Sequence, residues 1–536
     1  MPSESNIAQT PRADLEFGQA RASADPALRA SASSEAAWWL LLVALIAGAL
    51  CEPYMHAVWS LSDEGMLLRG AERMLRGDRL YADFFEFLPP GGFVLTAAWL
   101  KVAGISLWSA RQLAVLTIIG IAGFTFLACR RACKNTPLSA VLATGWVVMS
   151  QGMWTQLSHH WFTTLFSMIA AWAALVNVGQ ARSPWRWPLV AGAAAGAAAM
   201  VTPIRGALTM LAMLTAFLNP RRRHAALFFY LLGGAAAPAA LIAFVVRQHA
   251  FAAALDDIIR FTGSRYASIE SVPFGSWADQ QNFLLKALFP LAALLTVFLG
   301  VRDWRGCLHD RVLRCCGAAG LAGFIGCFPR PDMVHIGFAA PMALPLLACC
   351  ITRLWSATPR YVVAGVVFLL CMPSVQAFSR VYQNALRADM VATPRGNVAF
   401  LAQPGAPELL NRIAAAPQGE VYFFYPYIPL LPFLAARQDA ARNDIFMPGY
   451  TTQSQYRDAC VSVMRRASWL VIDRNWTDPT ILKRARPAMA NVRPRETAAF
   501  EQALATGFQF VAREGSFELS HRRAGITDSV CAAIVE

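Results

Sequence analysis

The strongest constraint on this chain is a series of eleven apolar runs, at about 37–58, 109–129, 137–156, 161–179, 187–203, 204–219, 225–247, 283–301, 312–328, 335–352 and 361–378. A helix needs about 20 predominantly apolar residues to cross a bilayer, so the series predicts a polytopic α-helical membrane protein. Composition agrees: 15% of the 536 residues are charged, against about 25% in soluble domains. A soluble enzyme, a disordered chain and a small disulfide scaffold are thereby excluded. Residues 1–36 are polar and Ala/Ser-rich and read as a disordered cytoplasmic tail, and the run that follows them as a retained anchor.

Orientation follows from the basic residues. Pro89–Val102 is apolar but only about 14 residues long, which favours an interfacial or re-entrant helix. With that run omitted, Arg130, Arg131 and Lys134, Arg182 and Arg186, Arg221 to Arg223, Arg302 to Arg314, and Arg353 with Arg360 all fall on one side. By the positive-inside rule that side is cytoplasmic, so a net charge of +14 reflects topology and no nucleic-acid partner is expected. The N-terminus is then inside. The external face carries a first loop at about 59–108, a second at about 248–282, and the region 379–536.

That last region reads as a small α/β domain. VYFFY (421–425) and WLVID (469–473) are predicted strands, Thr451–Arg466 and Glu496–Thr506 helices, and 508–514 with 516–520 a hairpin. The twelve cysteines lack metal-type spacing. Cys460 and Cys531, alone in polar sequence, can pair if the region faces an oxidising compartment. There is no glycine-rich phosphate loop and no internal repeat.

Chemistry concentrates after the first run, in LSDEGMLLRGAERMLRGDRLYADFFEFLPPGG (61–92). Asp63 and Glu64 emerge at the outer surface. They either open a helix, where acids complement the dipole, or supply a base, since two buried neighbouring carboxylates resist joint ionisation. The helix after them is basic and amphipathic, with Met66, Leu67, Met74 and Leu75 expected toward lipid and Arg69, Arg73, Arg76 and Arg79 toward headgroups.

The acidic pair, the Met74–Asp78 turn, Tyr81, Asp83, Pro89-Pro90-Gly91 and Arg111 together resemble GT-C type glycosyltransferases that use polyprenyl-phosphate sugars. That group includes the protein O-mannosyltransferases and the aminoarabinose transferases. Where the latter carry Glu-Lys-Pro-Pro, this chain has Glu86-Phe87-Leu88-Pro89-Pro90, without the lysine. The resemblance implies an inner-membrane enzyme with Asp63 as catalytic carboxylate and Glu64 beside it. Its partners would be a polyprenyl-phosphate-linked donor, an external glycan, lipid or protein acceptor, and the surrounding membrane lipids. One base suffices, because a polyprenyl phosphate leaves without an acid while the carboxylate takes the acceptor's proton and the anomeric carbon inverts.

The leaving phosphate needs positive charge, for which Arg205, Arg265 and Arg330 are candidates; Arg330 with Asp332 can equally be a structural ion pair. His159, His160 and His335 are candidate substrate contacts or interfacial anchors, and Tyr81 and Glu86 complete the candidate set. No cofactor is required. A divalent metal is conceivable from Asp63, Glu86 and the histidines, although no helical HxxxH or HxxE spacing supports one. Two other classes remain open: an oligosaccharide polymerase or ligase, and a transporter or flippase, which would place ionisable residues at mid-membrane.

Overall fold

The structure is a computed structural model describing residues 26–534 except 152–153, 155, 181–184, 218–222, 267–268, 278–282 and 491–493, with backbone alone for 26–33, 223, 484–485 and 490. Residues 1–25 of the expected tail, and Arg182, Arg221 and Arg222 of the cytoplasmic clusters, lie outside the described residues. The rest of the tail is helical. α1 runs over Pro26–Cys51, starting well ahead of Ala37, with proline at the first helical position and alanines after it, both good helix starters.

Helices α2 (Asp63–Arg76) and α3 (Pro90–Ala103) fill the first loop. Then follow α4 (Leu107–Cys133), α5 (Thr136–Gln151), α6 (His159–Val178), α7 (Arg186–Ala199), α8 (Pro203–Leu214), α9 (Arg223–Arg247), α10 (Phe283–Arg302) and α11 (Arg311–Ile325). Two bent pairs end the series: α12 (Met333–Ala339) with α13 (Leu344–Leu354), and α14 (Arg360–Leu370) with α15 (Met372–Arg387). Every expected run is therefore helical. Among the described residues, however, only five helices are long and apolar enough to cross a membrane, or seven if each bent pair is one crossing. Proline accounts for part of this: Pro203 opens α8 four residues after the last residue of α7, while Pro341, Pro345 and Pro373 sit at or beside the 62° and 54° bends. Hydropathy is continuous through these points, but the hydrogen-bond ladder is not.

The chain after α15 returns to the first loop. β2 (Met390–Thr393) and β3 (Gly396–Phe400) form a hairpin, and β1 (Ala57–Val58), directly after the first helix, pairs parallel to β3. A second sheet has the order β4 (Tyr422–Tyr425), β5 (Trp469–Asp473), β7 (Phe517–Arg522), β6 (Phe508–Glu514). β4 and β5 are parallel and the rest antiparallel. α16 (Gln453–Arg466) opens on a capping box from Thr452 and Gln455, and α17 (Arg495–Gly507) precedes the hairpin. β4, β5, α16, α17 and the β6–β7 hairpin fall where the sequence pattern places them, whereas the small sheet of β1, β2 and β3 was not expected. Cys460 and Cys531 are disulfide-bonded.

α2 departs from its expected setting. Met66 and Leu67 are buried within protein, and Leu67, Leu68, Phe84 and Phe93 share one core with Tyr422, Phe424, Ile428 and Leu431. Its arginines meet carboxylates: Arg69 lies 2.9 Å from both Asp439 and Asp444, Arg73 2.7 Å from Asp78, Arg76 2.6 Å from Glu72, and the following Arg79 2.9 Å from Asp83. Gly65 lets this first turn lie against the backbone at Leu430, where a Cβ would come within 2.0 Å of the Leu430 nitrogen.

Glu64 anchors the same turn. It is fully buried, and its two oxygens accept from Arg111 Nε and Nη2, both at 2.7 Å. The Leu157 N–H adds a third bond at 2.9 Å, and Arg111 Nη1 donates 2.7 Å to the Tyr54 carbonyl. α2, α4, the end of the first helix and the approach to α6 thus converge on one ion pair. Removing one partner of such a pair strands the other, at about 3–5 kcal/mol. Glu64→Gln and Arg111→Gln should each lower the thermal midpoint of the purified protein, whereas an unchanged midpoint would show the pair to be dispensable.

Candidate functional site

Asp63 is the first residue of α2, where the helix dipole favours a carboxylate. Neighbours in a helix are turned about 100° from one another. Glu64 therefore points into the core, while Asp63 lines a cavity of about 190 Å³ between the helix ends and the C-terminal region. The hydroxyl of Tyr427, two residues past β4, donates 2.6 Å to Asp63 Oδ1. Burial, and next the Asp63 charge, push the Tyr427 phenol above its ordinary range and keep it a donor.

The cavity gathers six of the sequence candidates: Asp63, His159, His160, Arg330, Asp332 and His335. His159 and His160 open α6, with ring centroids 4.0 Å apart, and His335 lies 5.0 Å from His160. Asp332 caps α12, accepting the His335 N–H at 2.9 Å; its Oδ1 also lies 2.8 Å from His335 Nδ1, and its Oδ2 accepts from Arg330 Nε at 2.7 Å.

Five candidates lie elsewhere. Glu64 is in the ion pair with Arg111. Tyr81 is fully buried, and its hydroxyl donates 2.8 Å to the Leu88 carbonyl, bracing the turn toward Pro89. Arg205 stands one layer behind the wall, donating 3.1 Å to both Thr164 Oγ1 and the Phe338 carbonyl and reaching 3.4 Å toward His160 Nδ1. Since arginine can only donate, that contact makes Nδ1 the acceptor. Arg265 reaches the Gly449 carbonyl at 3.2 Å. Glu86 is buried near Asp257 and Asp444, so a site built from Asp63, Glu86 and the histidines is not assembled. Among the described residues no group of three or more His, Cys, Asp or Glu side chains is placed to hold a metal.

Two cavity residues, Glu270 and Arg486, carried no sequence signal; Tyr427 belongs to the aromatic run 422–427, which reads as a sugar-stacking surface or, more simply, as a buried strand and its loop. Glu270 bridges Arg330 and Arg486. Trp277 lies under the Arg330 guanidinium at 5.0 Å, and Trp476 under Arg486 at 5.8 Å. Apart from Trp476 with Arg486, these contacts join segments more than fifty residues apart in the chain, and no local pattern marks them.

The architecture defines a helix-rich membrane protein in which the first turn of α2 and loops of the C-terminal region close over a cavity, and the fold is that of the GT-C glycosyltransferases. By sequence, neither a protein family nor a curated protein matches the chain. Among solved structures it is similar to ArnT from Cupriavidus metallidurans bound to undecaprenyl phosphate, with TM-score 0.55 and 14% identity over 92% of this chain and 99% of ArnT. It is also similar to the arabinofuranosyltransferase AftD from mycobacteria, with TM-score 0.51 and 15% identity over 91% of this chain but only 40% of AftD. At such identities the likeness is one of fold.

Behind the cavity, Glu86 of the first loop meets Asp257 at the start of the π-helical segment Asp256–Tyr266. Burial, and next Asp444 and Asp257, raise the Glu86 carboxyl well above its ordinary range; burial raises Asp257 to about 7. The folded state thus holds the Asp257 proton more tightly than the unfolded state does. The contribution of Asp257 to stability falls as pH rises from 3.8 through about 7 and does not recover above it. Asp257→Asn should flatten that decline in pH-resolved thermal melts; an unchanged slope would show that Asp257 does not titrate there.

Proposed function

We propose that the protein is an inner-membrane glycosyltransferase that moves a sugar from a polyprenyl phosphate of the undecaprenyl type to an acceptor on the outer face. Supporting this is the single placement of Asp63: a carboxylate at a helix N-terminus, held by Tyr427, in a cavity that Arg330 and Arg486 also line. The ArnT structure of the same fold is described with undecaprenyl phosphate bound.

In this reading Asp63 accepts the proton of the acceptor hydroxyl as its oxygen forms a bond to the anomeric carbon. The bond from that carbon to the phosphate oxygen breaks, its electrons pass to the phosphate, and configuration inverts. The charge arriving on the phosphate is met by guanidinium groups, whose planar fork matches phosphate oxygens. Tyr427 orients the base, and Glu64 positions it through the backbone.

We read the short helices α5, α7, α8 and α11 as crossings too, giving eleven, with the N-terminus cytoplasmic and residues beyond α15 outside. Asp63→Asn should leave expression and melting unchanged while lowering transfer from a polyprenyl-phosphate sugar in vesicles by about 10²-fold or more. Full activity would remove Asp63 as the base. Gln418→Cys, on an exposed loop, should react in intact cells with a thiol reagent that cannot cross the inner membrane; labelling only after lysis would reverse the orientation.

A further inference from the structure

The charge lining the cavity is poorly matched to an incoming anion. Among its described lining residues Asp63, Glu270 and Asp332 are acidic, and Arg330 and Arg486 basic. Both arginines already hold a carboxylate. Glu270, 3% exposed, gives Oε2 to Arg330 Nη1 and Oε1 to Arg486 Nη1. These residues come from three separate places: the second outer loop, the turn between α11 and α12, and the C-terminal region. One bridging anion draws them together.

The two acids beside Arg330 are held very differently. Asp332 caps α12, accepts the His335 N–H and binds Arg330 Nε, so its loss would unmake a helix start. The Glu270 side chain contributes bonds to the two guanidiniums alone among the hydrogen bonds described for it. Both guanidiniums are backed by indole rings, which hold their planes whichever anion they face. The donor's phosphate is a diester, and its two unesterified oxygens can span two guanidinium forks as the two oxygens of a bridging carboxylate do.

Resting on the function proposed above, we infer that Glu270 occupies the seat of the donor's phosphate, and that donor binding exchanges this carboxylate for the phosphate between Arg330 and Arg486. The exchange keeps both arginines neutralised in the empty and the loaded site. It also avoids adding a phosphate to a wall that already carries more acids than bases. Glu270 is then a competitor that sets donor affinity, while the arginines supply the contact.

The test measures binding of undecaprenyl phosphate, and of undecaprenol as the phosphate-free control, to the full-length protein in nanodiscs. Glu270→Gln should bind undecaprenyl phosphate about tenfold more tightly than the unsubstituted protein, since a competing charge has gone. Undecaprenol binding should be unchanged, and Arg486→Gln should bind the phosphate more weakly. Glu270→Asp keeps the charge and guards against misfolding of the glutamine variant; its shorter side chain cannot span both arginines and should also tighten phosphate binding. Equal or weaker phosphate binding by both Glu270 variants would overturn the inference and show a carboxylate that only holds the arginines in place. An equal gain for undecaprenol would overturn it as well. Failure of the unsubstituted protein to bind undecaprenyl phosphate would instead defeat the underlying function.

Discussion

The ion pair of Glu64 and Arg111 is the constraint from which the site's geometry follows. A fully buried carboxylate bound at both oxygens by one guanidinium cannot be shifted or rotated without stranding a charge. It fixes the first turn of α2 against α4 and the approach to α6. Because adjacent residues of a helix point in different directions, fixing Glu64 inward aims Asp63 at the cavity. Two neighbouring acids that look interchangeable in sequence therefore have separate work, one in holding the helix and the other at the surface where chemistry is proposed.

Much of this was legible before any coordinates. Each of the eleven apolar runs contains helix; β4, β5, α16, α17 and the β6–β7 hairpin of the C-terminal region follow from the sequence pattern; and six of the eleven candidate residues line one cavity. What the sequence hid was long-range. Arg69 read as a headgroup contact because Asp439 and Asp444 lie some 370 residues away, whereas the partners of Arg73, Arg76 and Arg79 stand within five residues and their pairing was open to a local reading. Glu270 and Arg486 carry no motif, since a lone glutamate or arginine has no local pattern that distinguishes it. The breaks within the apolar runs were a different matter: Pro203, Pro345 and Pro373 were visible, but hydropathy alone does not register a lost hydrogen bond.

The C-terminal region completes the site. β1 pairs with β3, Gly65 admits the Leu430 backbone, and Tyr427, Trp476 and Arg486 close the cavity from above. α6 and α12 supply the histidines, the turn between α11 and α12 supplies Arg330, the first loop supplies Asp63, and the returning chain supplies Tyr427 and Arg486. Sequence likeness to ArnT is slight at 14%, yet the fold extends over 92% of the chain. In such a case the site must be argued from its own residues, because fold alone does not fix function.

The most direct measurement is an experimental structure of the protein with undecaprenyl phosphate bound. The phosphate should lie inside the cavity, facing Arg330, with the Asp63 carboxylate across a gap wide enough for an acceptor hydroxyl and the sugar carbon. A phosphate seated outside this cavity, with Asp63 beyond reach of any group attached to it, would contradict Asp63 as the base and the cavity as the place of transfer.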